Sequence, residues 1–240
     1  FNKGLGNVHI GYRAGFYVSG SYNITIGMYA GQGGTSSSPY STGTYNVALG
    51  YQALSGFTTG YQNVAVGANA GDAINTGYNN TVMGTSAGTN LTTGFSNVII
   101  GRVAGYATTD VDKTVIIGEQ AAYTGNMTSA ADGTVSIGAN AGKNVTSAAE
   151  STFVGYGAGA NITTGNYNTA IGYNAGSQAQ DDTNNTFVGR AAGYHVESDE
   201  NVFIGGDAGY GAQDSTTGSQ NTSIGYRSMY SHTTANKNVV

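Results

Sequence analysis

A glycine recurs at a fixed place in a 17-residue period, and few folds tolerate that. The unit is clearest in Asn63-Val64-Ala65-Val66-Gly67-Ala68-Asn69-Ala70-Gly71. It returns as Asn97-Val98-Ile99-Ile100-Gly101-Arg102-Val103-Ala104-Gly105 and as Asn168-Thr169-Ala170-Ile171-Gly172-Tyr173-Asn174-Ala175-Gly176. Counting from the residue four before each such glycine, successive units begin 16, 23, 17, 17, 17, 17, 20, 17, 17, 17, 16, 20 and 17 residues apart. A constant period with excursions marks a solenoid, whose loops leave the coil at one place. The largest excursion is the insertion at 31–45, with Thr35-Ser36-Ser37-Ser38-Pro39 inside it.

Within a unit, positions two and four are β-branched or otherwise apolar, as in Val64 and Val66 or Val202 and Ile204. A period of two predicts a short strand. The glycine at position five implies a backbone angle closed to side chains, or a neighbouring segment too near for a Cβ. The second half, as in Asn161-Ile162-Thr163-Thr164-Gly165, reads as a second short strand with one inward aliphatic, closed by a turn on Thr-Gly. Stacking two strands and two turns per coil predicts an all-β parallel β-solenoid, a β-roll of about fourteen coils, as one repeat domain over 1–240. The repeat is entered at Phe1 and broken off at Val240, so the expectation is a fragment of a longer fibre.

Position one is occupied by Asn7, Asn23, Asn46, Asn63, Asn80, Asn97, Asn168, Asn185, Asn201 and Asn221. Stacked amides hydrogen-bond along a fibre axis, so these residues are expected to form a structural ladder, with Thr114, Thr134 and Ser151 as shorter substitutes. Position three is expected to face away from the coil. Val82, Ile99, Ile116, Phe153, Phe187 and Phe203 stand there, so a strand apolar on both faces predicts that something covers the outer one. These six are the expected oligomer interface, with three chains as the favoured number.

Composition narrows the function. The 40 glycines would suggest disorder if the aliphatics did not recur in register. A net charge of −5 without a basic run leaves no footprint for nucleic acid, and no apolar window approaches the ~18 residues of a membrane span. With no cysteine there is neither disulfide nor thiolate metal site, and an extracellular location is allowed. His9, His195 and His232 fall in different units, and no serine has a nearby histidine and acid, so neither a metal site nor catalysis is expected. Acidic residues gather at Asp110 and Asp112, Asp181 and Asp182, and Glu197, Asp199 and Glu200, without the spacing of a known calcium loop. Cofactors are accordingly expected to be none. Tyr12, Tyr51, Tyr156, Tyr173 and Tyr226 each follow the motif glycine and are the candidates for glycan contact, with rung-to-rung stacking as the competing role.

The unit Asn-[Val/Thr/Ile]-x-[Ile/Val]-Gly-x-x-Ala-Gly resembles the head repeats of trimeric autotransporter adhesins and the similar repeats of phage tail fibres. The likeness runs from Asn7 to Val240. It implies a left-handed homotrimeric β-roll on a virion tail fibre or a bacterial cell surface, used for attachment to a host glycan or protein, without enzyme activity. The period of 17 is longer than the adhesin heads use, and the Thr-Thr-Gly half is closer to fibre repeats. A self-assembling extracellular filament and an ice-binding-type solenoid are the alternatives.

Overall fold

The structure, a computed structural model, describes residues 4–37, 40–211 and 217–240. Ser38 and Pro39 of the 31–45 insertion lie outside the described residues. The chain is an all-β parallel solenoid that divides into two compact units, Phe1–Ile117 and Gly118–Val240.

The first unit holds β1 (Val8–Ile10), β2 (Ile24–Ile26), β3 (Val47–Leu49), β4 (Val64–Val66), β5 (Thr81–Met83), β6 (Val98–Ile100) and β7 (Val115–Ile117). The second holds β8 (Val135–Ile137), β9 (Thr152–Val154), β10 (Thr169–Ile171), β11 (Thr186–Val188), β12 (Val202–Ile204) and β13 (Thr222–Ile224). Within each unit consecutive strands pair in parallel with equivalent residues opposite one another, Val64 beside Thr81 and Ala65 beside Val82 for example. The 23-residue interval leaves this register intact, since Ile24 still faces Val47. The insertion is spliced back by a parallel bridge between Val18 and Ser41.

Each strand is only three residues long because left-handed residues bound it. The residue before the Asn is one, as at Gln62 (φ 55°), and the motif glycine is the other, with φ between 127° and 136° in every coil. A Cβ on Gly67 would lie 2.6 Å from the carbonyl oxygen of Gly84 in the next coil, so angle and space both exclude other residues. The second half of the coil is not the expected strand. Two further left-handed residues, such as Asn69 (φ 54°) and Gly71 (φ 53°), stand on either side of a residue that is not left-handed and turn the chain. The bend still bonds along the axis: Asn69 N–H donates to Tyr51 O in one neighbouring coil (2.8 Å), and Gly71 N–H to Ala87 O in the other (2.9 Å). Turn geometry thus does the ladder's work without extended backbone.

The orientation of the strands reverses the expectation. Val82, Ile99, Ile116, Phe153, Phe187 and Phe203 are fully buried inside their own coils, and positions two and four point outward. Positions one, three and five share a face in a strand of period two, so burying the position-one Asn carries position three inward with it. The six residues therefore form the coil core and line no contact between chains.

Inside, volume is shared across the coil. Ala48 faces the interior in the coil that supplies Phe57, Ala65 in the coil of Ile74, and Val82 in the coil of Leu91, all of them fully buried. In the second unit Phe153 and Phe187 flank the thin coil of Ala170 and Ala179, and the Phe187 ring stacks on Phe203 at 5.9 Å. A Cβ at Gly176 would come within about 3 Å of the Phe187 ring, so glycine there makes room for the aromatic.

Candidate functional site

Three rows of side chains run along the coils: an inner row of amides, an outer pair of aliphatic columns, and lateral rows of aromatic rings.

The amide row is continuous from Asn7 to Thr114 in the first unit. Asn63 shows its logic. Its Oδ1 accepts the backbone N–H of Asn80 (3.1 Å) and the Asn80 Nδ2 (3.0 Å), while its own Nδ2 donates to Asn46 Oδ1 (3.2 Å) and to Gly77 O in the turn (2.8 Å). All four hydrogen-bonding positions of the amide are used, in a fully buried setting. Asn46, Asn80 and Asn97 repeat the pattern. In the second unit Asn168, Asn185, Asn201, Asn221 and Asn238 continue it through backbone N–H to Oδ1 bonds of 2.8 to 3.1 Å, although Asn185 Nδ2 has no partner. At the interruption Thr134 donates to Ala148 O (2.6 Å), and Ser151 Oγ accepts from Asn168 N–H (3.1 Å).

Outside, positions two and four form two columns. In the first unit every side chain of these columns is exposed or half-exposed, and all are Val, Ile or Leu except Thr81 and Met83. In the second unit Thr152, Thr169, Thr186 and Thr222 join Val and Ile in the columns.

The five tyrosines that follow the motif glycine are all exposed. Tyr156 and Tyr173 stack face to face at 5.4 Å, Tyr12 and Tyr51 meet Tyr29 edge-on, and the Arg227 guanidinium lies over Tyr226 at 5.3 Å. Two aromatic rows escape the sequence reading. Tyr61, Tyr78 and Phe95 stack at 4.9 Å intervals with rings within 5° of parallel, and Tyr194, Tyr210 and Tyr230 stack at 5.3 and 5.2 Å. Such spacing is the rung repeat itself. The faces of the middle rings are occupied by their neighbours, so Tyr78 and Tyr210 have edges to offer a ligand.

The acidic residues of the second unit come together where Gln180, Asp181, Asp182 and Glu197 line a cleft of about 230 Å³. Burial, then the charge of Asp199, pushes the Asp182 carboxyl up to about 7, with Glu197 and Asp181 adding to it. Asp181 is held below the usual carboxylate range by the hydroxyls of Thr164 and Thr163, both at 2.8 Å. Among the described residues no three metal-ligating side chains converge. Asp207 is buried and paired with Arg190 of one neighbouring coil, and Arg227 Nε of the other lies 3.6 Å away.

The histidines stay apart. His9 Nδ1 bonds Thr25 Oγ1 at 2.8 Å in the coil interior, His195 sits edge-on to Tyr194 and Tyr210, and His232 packs on Phe203 with its basicity lowered by burial. Among the described residues no helix is long and apolar enough to cross a membrane. Family models, curated proteins and solved structures yield no match to the chain.

Proposed function

We propose that the chain is a structural and adhesive segment of an elongated homotrimeric fibre, an extracellular part of a phage tail fibre or a bacterial surface adhesin. What supports this reading is the direction of the bonding. Strand, turn and amide row all hydrogen-bond from coil to coil, as at Val64 N–H to Asn80 O (2.8 Å), Gly71 N–H to Ala87 O (2.9 Å) and Asn80 N–H to Asn63 Oδ1 (3.1 Å). Three parallel sets of axial bonds resist bending of a stack whose coils touch only their neighbours. A stiff spacer sets a binding tip at a distance, and host-surface glycans or proteins are the targets that an attachment fibre meets. The mass of the native particle by light scattering, with electron microscopy of the same sample, tests this: a three-chain mass and slender particles are expected, and a single-chain mass overturns it.

A second reading rests on the outward threonines. Thr152, Thr169 and Thr186 stand directly beside one another on adjacent rungs, each two residues from an outward Val or Ile. A regular hydroxyl and methyl array of that kind suits an ice-binding solenoid. That reading predicts a monomer with thermal hysteresis, so one sample separates the two.

A further inference from the structure

We infer that the outer strand face, the paired columns at positions two and four, is the surface on which a second copy of this chain docks. The inference rests on the homotrimeric reading and supplies its contact, in place of the buried position-three residues.

The face has no charged residue in either unit, although the chain carries 8 basic and 13 acidic side chains elsewhere. Exposed strand faces in soluble proteins alternate toward polar residues, and this one does not. Val8, Ile10, Ile24, Ile26, Ile204 and Ile224 are exposed outright. Two columns of side chains span roughly 12 Å across, and a rung adds about 4.8 Å, so seven rungs present about 400 Å² and six rungs about 350 Å². Each unit by itself therefore presents an apolar strand face of the size of the largest patch that a monomer ordinarily leaves in water, a patch that commonly marks a contact with another protein.

Periodicity identifies the occupant. The ridges and furrows of this face repeat at the rung spacing, because within each unit neighbouring strands pair in one-to-one register. A surface that must fit those furrows over many rungs needs the same repeat, and a copy of the chain has it by construction. In a trimer the three copies turn this face toward a common axis, where the Val and Ile columns of each meet those of the other two.

The absence of cysteine makes the test direct. Val66→Cys places a lone thiol on the face, and Thr59→Cys places one on an exposed corner of the second half of the coil. With a short bis-maleimide, Val66→Cys is expected to give covalent dimers and Thr59→Cys none. The double variant Val66→Lys with Ile100→Lys is expected to fall threefold in particle mass, to one chain, with its β-sheet circular dichroism unchanged. Should the lysine variant fail to fold, the cysteine pair still decides. An oligomer that survives the lysines and cross-links only through Thr59→Cys overturns this face while the homotrimer stands. A wild-type chain of single-chain mass at every concentration overturns the homotrimer, and this contact with it.

Discussion

The coil that begins at Asn63 and the coils that begin at Thr134 and Ser151 have the same backbone and differ in the group at position one. The amide of Asn63 accepts two hydrogen bonds from the next coil and donates one to the previous coil and one to its own turn. A hydroxyl has a single proton, and each one makes a choice. Thr114 spends its proton on Asn97 Oδ1 (2.8 Å), across the coils, whereas Thr134 spends its own on Ala148 O (2.6 Å), in the turn. Ser151 bonds Ala149 O (3.2 Å) and accepts Asn168 N–H. An amide therefore ties three coil segments at once, and these hydroxyls tie one or two. Core volume is more forgiving, since Ala65 with Ile74 and Phe153 with Ile162 both fill a coil. Polar valence is the stricter requirement because a buried group left unpaired costs about 1–3 kcal/mol, with no neighbour able to relax into its place.

Asn63→Asp is the severest way to break the amide row. The carboxylate keeps the acceptor but loses both donors and faces Asn46 Oδ1 and Gly77 O inside the coil, so a loss above about 3 kcal/mol is expected. The urea midpoint at pH 7 measures it, and the loss should shrink on acidification as the carboxyl protonates. Asn63→Thr turns the same coil into the hydroxyl kind. One of the two acceptors loses its bond to this side chain, and a loss of about 1–3 kcal/mol is expected, with the m-value unchanged.

Asp182 sharpens the contrast from the turn side, since its carbonyl is the acceptor for Asn168 Nδ2 (2.6 Å). Its folded-state pKa is raised from an ordinary 3.8 to about 7, so the folded chain holds this proton more tightly than the unfolded chain does. Its cost is absent below pH 4, grows as pH rises to 7, and is constant above that. Asp182→Asn should therefore raise the urea midpoint at pH 8, leave it unchanged at pH 3.5, and flatten the curve between. Partial exposure and solvent screening limit the gain to about 1 kcal/mol. The smallest effect is expected of Thr134→Asn, which restores an amide to the interrupted stretch. It should be neutral or stabilising by up to about 1 kcal/mol in the same denaturation assay.

Much of this was legible in the residues. The period located every strand, β4 at Val64–Val66 among them, and the position-one Asn row announced an axial ladder. The glycine at Gly67 pointed to a neighbour too close for a side chain, and that neighbour is the Gly84 carbonyl. Which face of the strand looks inward was not legible from hydrophobicity, because Val64, Ala65 and Val66 are apolar on both sides. The deciding clue was the Asn itself: an amide that stacks in a dry row must be buried, and position three shares its face. Variation in bulk at position three, from Ala65 to Phe187, is a second sign, since only an enclosed residue needs a partner such as Ile74 or Val196 to trade volume with. The second half of the coil was misread because Asn161-Ile162-Thr163 has β-forming residues, while left-handed positions such as Gly159 set the path. Tyr61, Tyr78 and Phe95 were missed because they precede the Asn by two, outside the unit that carries the pattern.

The one-to-one pairing of short strands also has a mechanical consequence. A force drawing a unit out from one end pulls across its strands, so only the bonds of the terminal coil carry the load at any moment. Coils would peel away singly, each releasing about 17 residues of slack, at forces far below those that shear long strands lengthwise. The same stack compressed or bent engages every coil together. Such a body is stiff as a strut and yielding as a tether, and it lengthens under load one coil at a time.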